Sequence, residues 1–164
     1  MLAAYCRAIT EVTQIPTITL HANMSDESLE LKVISKMPGK IDCSVTINAR
    51  IWDGDHDQST SLMVDHLVLS ASRLCELRKQ IEAWLDSKNV GTVAFSGEYS
   101  LAAQGSSRLD LNFGTRMDVI ASGDKPVVTV IFKTGRINGE FCFVTDQSCL
   151  KLFAEDVVRA MPVD

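Results

Sequence analysis

Residues 43–51 have the sequence CSVTINARI, in which apolar and polar side chains alternate without interruption. Successive side chains of a β-strand point to opposite faces, so this period of two predicts a strand with one buried face and one wet face. One-sided burial is typical of antiparallel sheets, because the strands of parallel sheets are apolar on both faces. The stretch therefore favours an antiparallel sheet that is covered on one side.

Similar stretches lie on both sides of it and predict a mostly meandering antiparallel sheet of about seven or eight strands. The predicted strands are residues 28–35, 43–51, 62–69, 92–101, 108–113, 117–121, 127–132 and 137–144. Pro38-Gly39 and Thr134-Gly135 have the composition of tight turns between neighbouring strands. Residues 1–26 follow no single period and form a leader whose structure the pattern does not define.

Two stretches change to helical spacing, and each predicts an amphipathic helix. The first has Ser70 or Ser72 as its N-cap and the apolar stripe Leu74, Leu77, Ile81, Trp84 and Leu85. The second begins at Asp146 and has the stripe Leu150, Phe153, Val157 and Met161. Both stripes are typical of helices that pack on a core rather than of a cofactor-binding site.

The two helices are related by a shift of 76 residues, which places Ser70 on Asp146 and aligns their stripes and the preceding strands. Any two amphipathic helices align at some offset, but the aligned caps favour an internal repeat of strands followed by a helix. This order predicts an α+β fold rather than a doubly wound parallel sheet. We expect one domain over residues 1–164, with one strands-helix unit in residues 27–88 and another in residues 91–162.

Composition excludes several classes of protein. The 164 residues are 46% hydrophobic, which is enough for one core without disulfides or a structural metal. The net charge is -5 and the basic residues are dispersed, so no nucleic-acid-binding surface is predicted. No uncharged apolar run approaches the roughly 18 to 20 residues of a membrane-spanning helix, and the N-terminus lacks the pattern of a secretory signal. We therefore expect a cytoplasmic protein without a membrane partner.

Motifs that carry chemistry are missing from the sequence. The odd number of cysteines and the lack of a C-x-x-C pair predict reduced thiols at Cys6, Cys43, Cys75, Cys142 and Cys149. There is no G-x-S-x-G motif and no glycine-rich phosphate loop. His66 falls within a predicted strand, where a structural role is commoner than that of a base. The prediction is a protein that is not an enzyme, with no catalytic, cofactor-binding or metal-binding residues.

A polar loop is predicted at residues 53–61, and it begins like a calcium-binding loop, with Asp53, Asp55 and Asp57 at alternating positions. The sixth position of such a loop would be Gln58 rather than glycine, and the twelfth Val64 rather than glutamate. A solvated hairpin loop is therefore the prediction, and a weak cation site stays an alternative.

Trp52 stands beside this loop, at the end of the strand quoted first. Aromatic side chains flanked by charge often anchor protein interfaces, because the ring buries a large area at little entropic cost. Burial in the core is the other interpretation. The predicted partner-binding residues are Trp52, Asp53, Asp55 and Asp57.

The order of elements, together with FSGEYSL at residues 95–101, LDL at 109–111, Leu150 and FAED at 153–156, resembles a bacterial family. That family is similar to the immunity proteins of the WapI type, which accompany contact-dependent or polymorphic toxins. The resemblance extends over residues 29–161 and includes no functional motif to carry over. It implies that the protein binds and neutralises a toxin domain in the cytoplasm without performing chemistry. An acidic surface agrees with this function, since complementary charge speeds association.

Two other functions stay open. A small-ligand-binding protein or cryptic enzyme would have a pocket between the sheet and the helices, lined by convergent polar groups. A structural or assembly subunit would have a large apolar patch that closes by symmetry. The sequence does not define the oligomeric state.

Overall fold

The computed structural model describes residues 15–53, 56–88, 95–102, 105, 107–114 and 125–161, and for strand residues 51–53, 56 and 57 it describes the backbone alone. The elements in chain order are β1 (Thr17–His21), β2 (Ser28–Met37), β3 (Lys40–Asp53), β4 (His56–Ser70), α1 (Ala71–Asp86), β5 (Gly97–Ser100), β6 (Arg108–Gly114), β7 (Val127–Thr134), β8 (Ile137–Val144) and α2 (Gln147–Ala160). The predicted α+β class is confirmed.

The eight strands form two antiparallel sheets of four strands, in the orders β1-β2-β3-β4 and β5-β6-β7-β8. Each sheet is a meander followed directly by a helix, so the order of strands and helix that the repeat predicts occurs twice. Both predicted turns are present. Gly39 at φ 73° and Gly135 at φ 57° adopt the left-handed conformation that glycine reaches without strain.

Two predicted boundaries differ from the structure, and one predicted strand is not tested by it. β1 lies inside the predicted leader, where Ile18 and Leu20 are buried between exposed or half-buried neighbours. β3 and β4 extend through most of the predicted loop 53–61, and two residues, 54 and 55, separate them. The predicted strand 117–121 lies outside the described residues.

Both helices begin at an N-cap whose side chain accepts a hydrogen bond from the first turn. The hydroxyl of Ser70 accepts from the Arg73 amide at 3.4 Å, and Asp146 Oδ1 accepts from the Cys149 amide at 2.8 Å. These caps are the two residues that the 76-residue shift aligns. Neither helix, nor any other helix within the described ranges, is long and apolar enough to cross a membrane.

The buried faces of both sheets and both helices belong to one hydrophobic core. Six of the stripe positions that the 76-residue shift aligns contribute fully buried side chains to this core: Leu74, Leu77, Ile81, Leu150, Phe153 and Val157. The two helices pack against each other, and α2 also packs along β1 of the first sheet. The core therefore joins the two units.

The junction between β8 and α2 bonds to the segment that follows β1. The Asn23 amide donates to the Val144 carbonyl at 2.8 Å, and the hydroxyl of Thr145 donates to the His21 carbonyl at 2.9 Å. Thr145 is fully buried. The second unit is therefore attached to the first at the start of its own helix.

The junction between β4 and α1 bonds in the same way to the segment that follows β5. The Ser70 amide donates to the Leu101 carbonyl at 2.9 Å, and Arg73 Nη1 donates to the carbonyls of Ser100 and Ala102, each at 3.2 Å. Each strand-to-helix junction thus bonds the chain at the end of the first strand of the other unit and just after it. This reciprocal arrangement extends the repeat from element order to contacts between the units.

Candidate functional site

The side of the first sheet that faces away from the core is the candidate functional site, and we call it the outer face. This face results from the period of two in β3, where residues 41 to 49 are alternately buried and half-buried. Ile41, Cys43, Val45 and Ile47 belong to the core. The polar residues between them are left on the outer face, which no described element covers.

Short polar side chains on three strands form a hydrogen-bonded chain across one end of this face. Asn48 Nδ2 donates to the Ser28 hydroxyl at 3.0 Å, and the Ser61 hydroxyl donates to Asn48 Oδ1 at 2.6 Å. Beside them, Arg50 Nε pairs with Asp26 Oδ1 at 2.7 Å, and this hydrogen bond lowers the pKa of Asp26 below its usual value. These contacts orient the polar groups at this end of the face.

A β-bulge in β4 changes the direction of two side chains at the other end of the face. Cys43 pairs with Leu67 and Val45 with Val64, so residues 65 and 66 both stand opposite residue 44. A bulge of this kind bends the strand, increases its twist and redirects the side chains at the irregularity.

His66, one of the bulge residues, bonds through Nδ1 to Asp42 Oδ2 at 3.0 Å. Its side chain is 68% exposed, whereas that of Asp42 is 18% exposed and has a buried Oδ1 with no hydrogen-bond partner. An imidazole held by a carboxylate resembles part of a catalytic triad, but a triad also needs a hydroxyl or thiol against the other ring nitrogen. Asp42 is the hydrogen-bond partner of His66 within the described residues, so this pair orients the ring without forming a triad.

An open hollow of about 840 Å³ lies in the middle of the outer face. Its floor includes the short side chains of Ser44 and Thr46, and three of its lining residues are exposed apolar side chains. These are Ile15, Ile34 and Met63, which are 53%, 48% and 64% exposed. Exposed apolar groups rimmed by charged residues are typical of surfaces that bind other proteins.

The predicted partner-binding residues lie at the end of the hairpin formed by β3 and β4. β2 pairs with β3 as far as Asn48, so beyond that residue β3 pairs with β4 alone and the hairpin extends past the sheet. On the backbone, Trp52 pairs with Asp57, and Asp53 pairs with His56. Asp55 and the side chains of the other three predicted residues lie outside the described part of the structure. Their role stays a prediction.

The described cysteines are reduced. Cys43, Cys75, Cys142 and Cys149 form no disulfide with one another, and burial raises the pKa of Cys43 to about 12. Burial is also the largest cause of the raised pKa of Cys149. Both thiols are held in the protonated, weakly nucleophilic form. Among the residues that the structure describes, no three His, Cys, Asp or Glu side chains come together as a metal site.

The bulge, the hollow and the exposed apolar group are features that the sequence did not predict. The pair of Asp42 and His66 joins residues that are 24 positions apart. The signal available was weak: Asp65 and His66 are consecutive polar residues that interrupt the alternation of β4. Such an interruption is typical of a bulge.

Comparison with protein-family models, curated proteins and solved structures finds no match to this chain. The resemblance to immunity proteins of the WapI type therefore stays a prediction.

Proposed function

We propose that this protein is a non-enzymatic protein-binding module of the toxin-immunity type, and that it binds its partner through the outer face of the first sheet. The observation that carries the proposal is the exposed apolar group Ile15, Ile34 and Met63 around an open hollow, next to positioned polar side chains. Apolar contact area surrounded by hydrogen-bonding groups is the common arrangement of protein interfaces.

The shape of the outer face favours a protein partner over a small ligand. The hollow is a wide depression on a sheet, whereas small-ligand sites are clefts that enclose most of the ligand surface. The hairpin that carries Trp52 extends from the same sheet, so it can lengthen the contact surface. A toxin domain neutralised in this way would meet the protein in the cytoplasm, which is the location we propose.

The decisive experiment begins with purification of the tagged full chain from its source cell and identification of the bound protein. That protein is then expressed in a host cell with and without this chain. We expect growth arrest by the partner alone and growth restored by co-expression. A partner that does not impair growth would contradict the immunity role, and the absence of any stoichiometric partner would contradict the binding role.

The site is tested with matched variants in the same capture assay. Met63→Arg places a charge in the exposed apolar group, and we expect it to weaken capture by about 30-fold, the effect of losing a residue that is central to an interface. Leu152→Arg makes the same change at a side chain that is 50% exposed and lies on α2, which packs against the core and does not line the hollow, and capture should persist. Equal capture by both variants would show that the interface lies elsewhere.

The alternative is a small-ligand-binding protein or cryptic enzyme with a pocket between the sheets and the helices. In the described part, the apolar side chains of that region pack into one core. An open hollow between the two helices, lined by Glu82, Asp86, Lys151 and other residues, is the nearest site of this kind. Thermal stabilisation of the purified chain by a small metabolite, lost in Lys151→Glu, would favour this alternative.

A further inference from the structure

β4 is an edge strand of the first sheet. On one side it pairs with β3, and on the other side its pairing within the described residues is confined to its end, where Leu69 bridges Ala102 and the Ser70 amide bonds to Leu101. An edge strand directs alternate amide and carbonyl groups away from the sheet, where they can bond to a further strand. Among the residues that the structure describes, no strand pairs with the rest of this edge of the 15-residue strand, which we call the open edge.

The bulge at residues 65 and 66 divides this edge. Pairing with β3 is regular from Asp53 and His56 to Val45 and Val64, and it shifts beyond that point. A bulge twists the strand away from a continuous ladder, so an added strand cannot continue past it. The regular part of the open edge is residues 56–64, about 30 Å long.

The described side chains along this edge are mostly exposed, and in the sequence every charged residue between Arg50 and Arg73 is acidic. Residues 58–61 are all exposed, and so are Met63 and Asp65. The sequence between Arg50 and Arg73 contains no lysine or arginine. It contains four aspartates, which are Asp53, Asp55, Asp57 and Asp65. Natural edge strands commonly carry lysine, which discourages pairing with other chains, and β4 has none.

We propose that residues 56–64 of β4 bind an extended, basic segment of the partner protein, which joins the first sheet as an additional strand. The proposal rests on the proposed function and names its mode of recognition. Main-chain hydrogen bonds to the open edge hold the segment, and its lysine or arginine side chains complement the acidic charge that the sequence gives this part of the chain. The outer face and its hollow then lie beside the added strand.

A second copy of this chain does not fit the same edge. Antiparallel pairing of two β4 strands would bring together two hairpins that have aspartates but no lysine or arginine between Arg50 and Arg73, and repulsion between like charges disfavours such pairing. The acidity of the edge therefore selects against self-association and in favour of a basic partner.

The test uses three capped ten-residue peptides as probes of the isotope-labelled full chain. One alternates lysine and threonine, the second replaces each lysine by glutamate, and the third replaces each threonine by proline, which keeps the charge but removes amide donors and strand geometry. We expect the lysine-threonine peptide to shift the backbone amide signals of residues 56–64. Its dissociation constant should be at least about tenfold lower than those of the other two peptides.

Protein variants provide the second control. Asp65→Lys should weaken binding of the lysine-threonine peptide, whereas Glu98→Lys, which makes the same change in net charge at an exposed residue of β5, should not. Equal binding of the lysine-proline peptide would overturn the proposal in favour of unspecific charge attraction, and so would signal changes confined to another element. A concentration-dependent dimer through β4 would overturn it in favour of self-pairing.

The two proposals fail in different ways. If the peptides do not bind, but Met63→Arg still weakens capture of the natural partner, strand addition is wrong and binding through the outer face stands. If the peptides bind at residues 56–64 while no partner protein is captured, the edge can bind an additional strand and the immunity function is wrong.

Discussion

Replacement of Thr145 by valine tests whether the reciprocal junctions hold the two units together. The hydroxyl of Thr145 donates to the His21 carbonyl at 2.9 Å, and the residue is 0% exposed. Valine has nearly the same shape, so Thr145→Val opens no cavity. It removes the donor and leaves the carbonyl without this partner, which costs about 1 to 2 kcal/mol. For a chain of this length the midpoint of thermal unfolding should fall by about 3 to 6 °C.

The measurement is urea unfolding followed by circular dichroism, with Thr129→Val as the matched control. The hydroxyl of Thr129 contacts the Cys142 sulfur at 3.2 Å, a weak partner, so this variant should keep the free energy of unfolding of the parent chain. Because the core is shared, both variants should unfold in one transition with an unchanged slope. Equal stability of the two variants would refute the role of the junction, and two separate transitions would refute the coupling of the units.

Three further outcomes are expected. Gly139→Ala should destabilise the protein by about 1 to 3 kcal/mol in urea titration, because the added Cβ would lie 2.6 Å from the Phe132 ring, whereas Gly114→Ala meets nothing within 4 Å and should change stability little. Asp146→Ala removes the N-cap of α2 and should cost about 1 kcal/mol, and Asp146→Ser should restore most of it; equal losses would contradict the capping role. The raised pKa of Cys43 makes stability depend on pH: the contribution is complete below pH 9 and declines as the pH rises towards about 12, since the unfolded thiol ionises first. Relative to Cys43→Ala, the parent chain should lose up to about 1.4 kcal/mol per pH unit above pH 9, and parallel pH profiles would show that Cys43 is not responsible.

The sequence predicted the elements in which burial follows a period. β3 alternates over its whole buried length, and the helical stripes around Leu74 and Leu150 coincide with the two helices. The sequence predicts residues 58–61 as a loop because all four are polar and show no alternation, and in the structure all four are exposed. They are nevertheless part of β4, because their backbone groups form hydrogen bonds to β3 even though their own side chains are exposed.

The division into two sheets was not predictable from local pattern. Alternation shows which side chains face a core, but it does not show which strand edges pair. Which edges pair depends on contacts between residues that are distant in sequence. One such contact is the hydrogen bond that the Thr19 amide of β1 donates to Asp156 Oδ2 of α2 at 3.1 Å. The candidate site depends on the same kind of information, since it is defined by the face left uncovered and by the bulge of β4.

Because of the reciprocal junctions, neither half of the chain has all of its hydrogen-bond partners without the other half. Each half supplies a helix start that is completed by the other half, as a homodimer would arrange two copies of one shorter chain. Cleavage between residue 88 and residue 95 would therefore give fragments that are individually incomplete and mutually complementary. Mixed in equal amounts, the two fragments should reassemble into the intact fold, whereas neither fragment should fold alone.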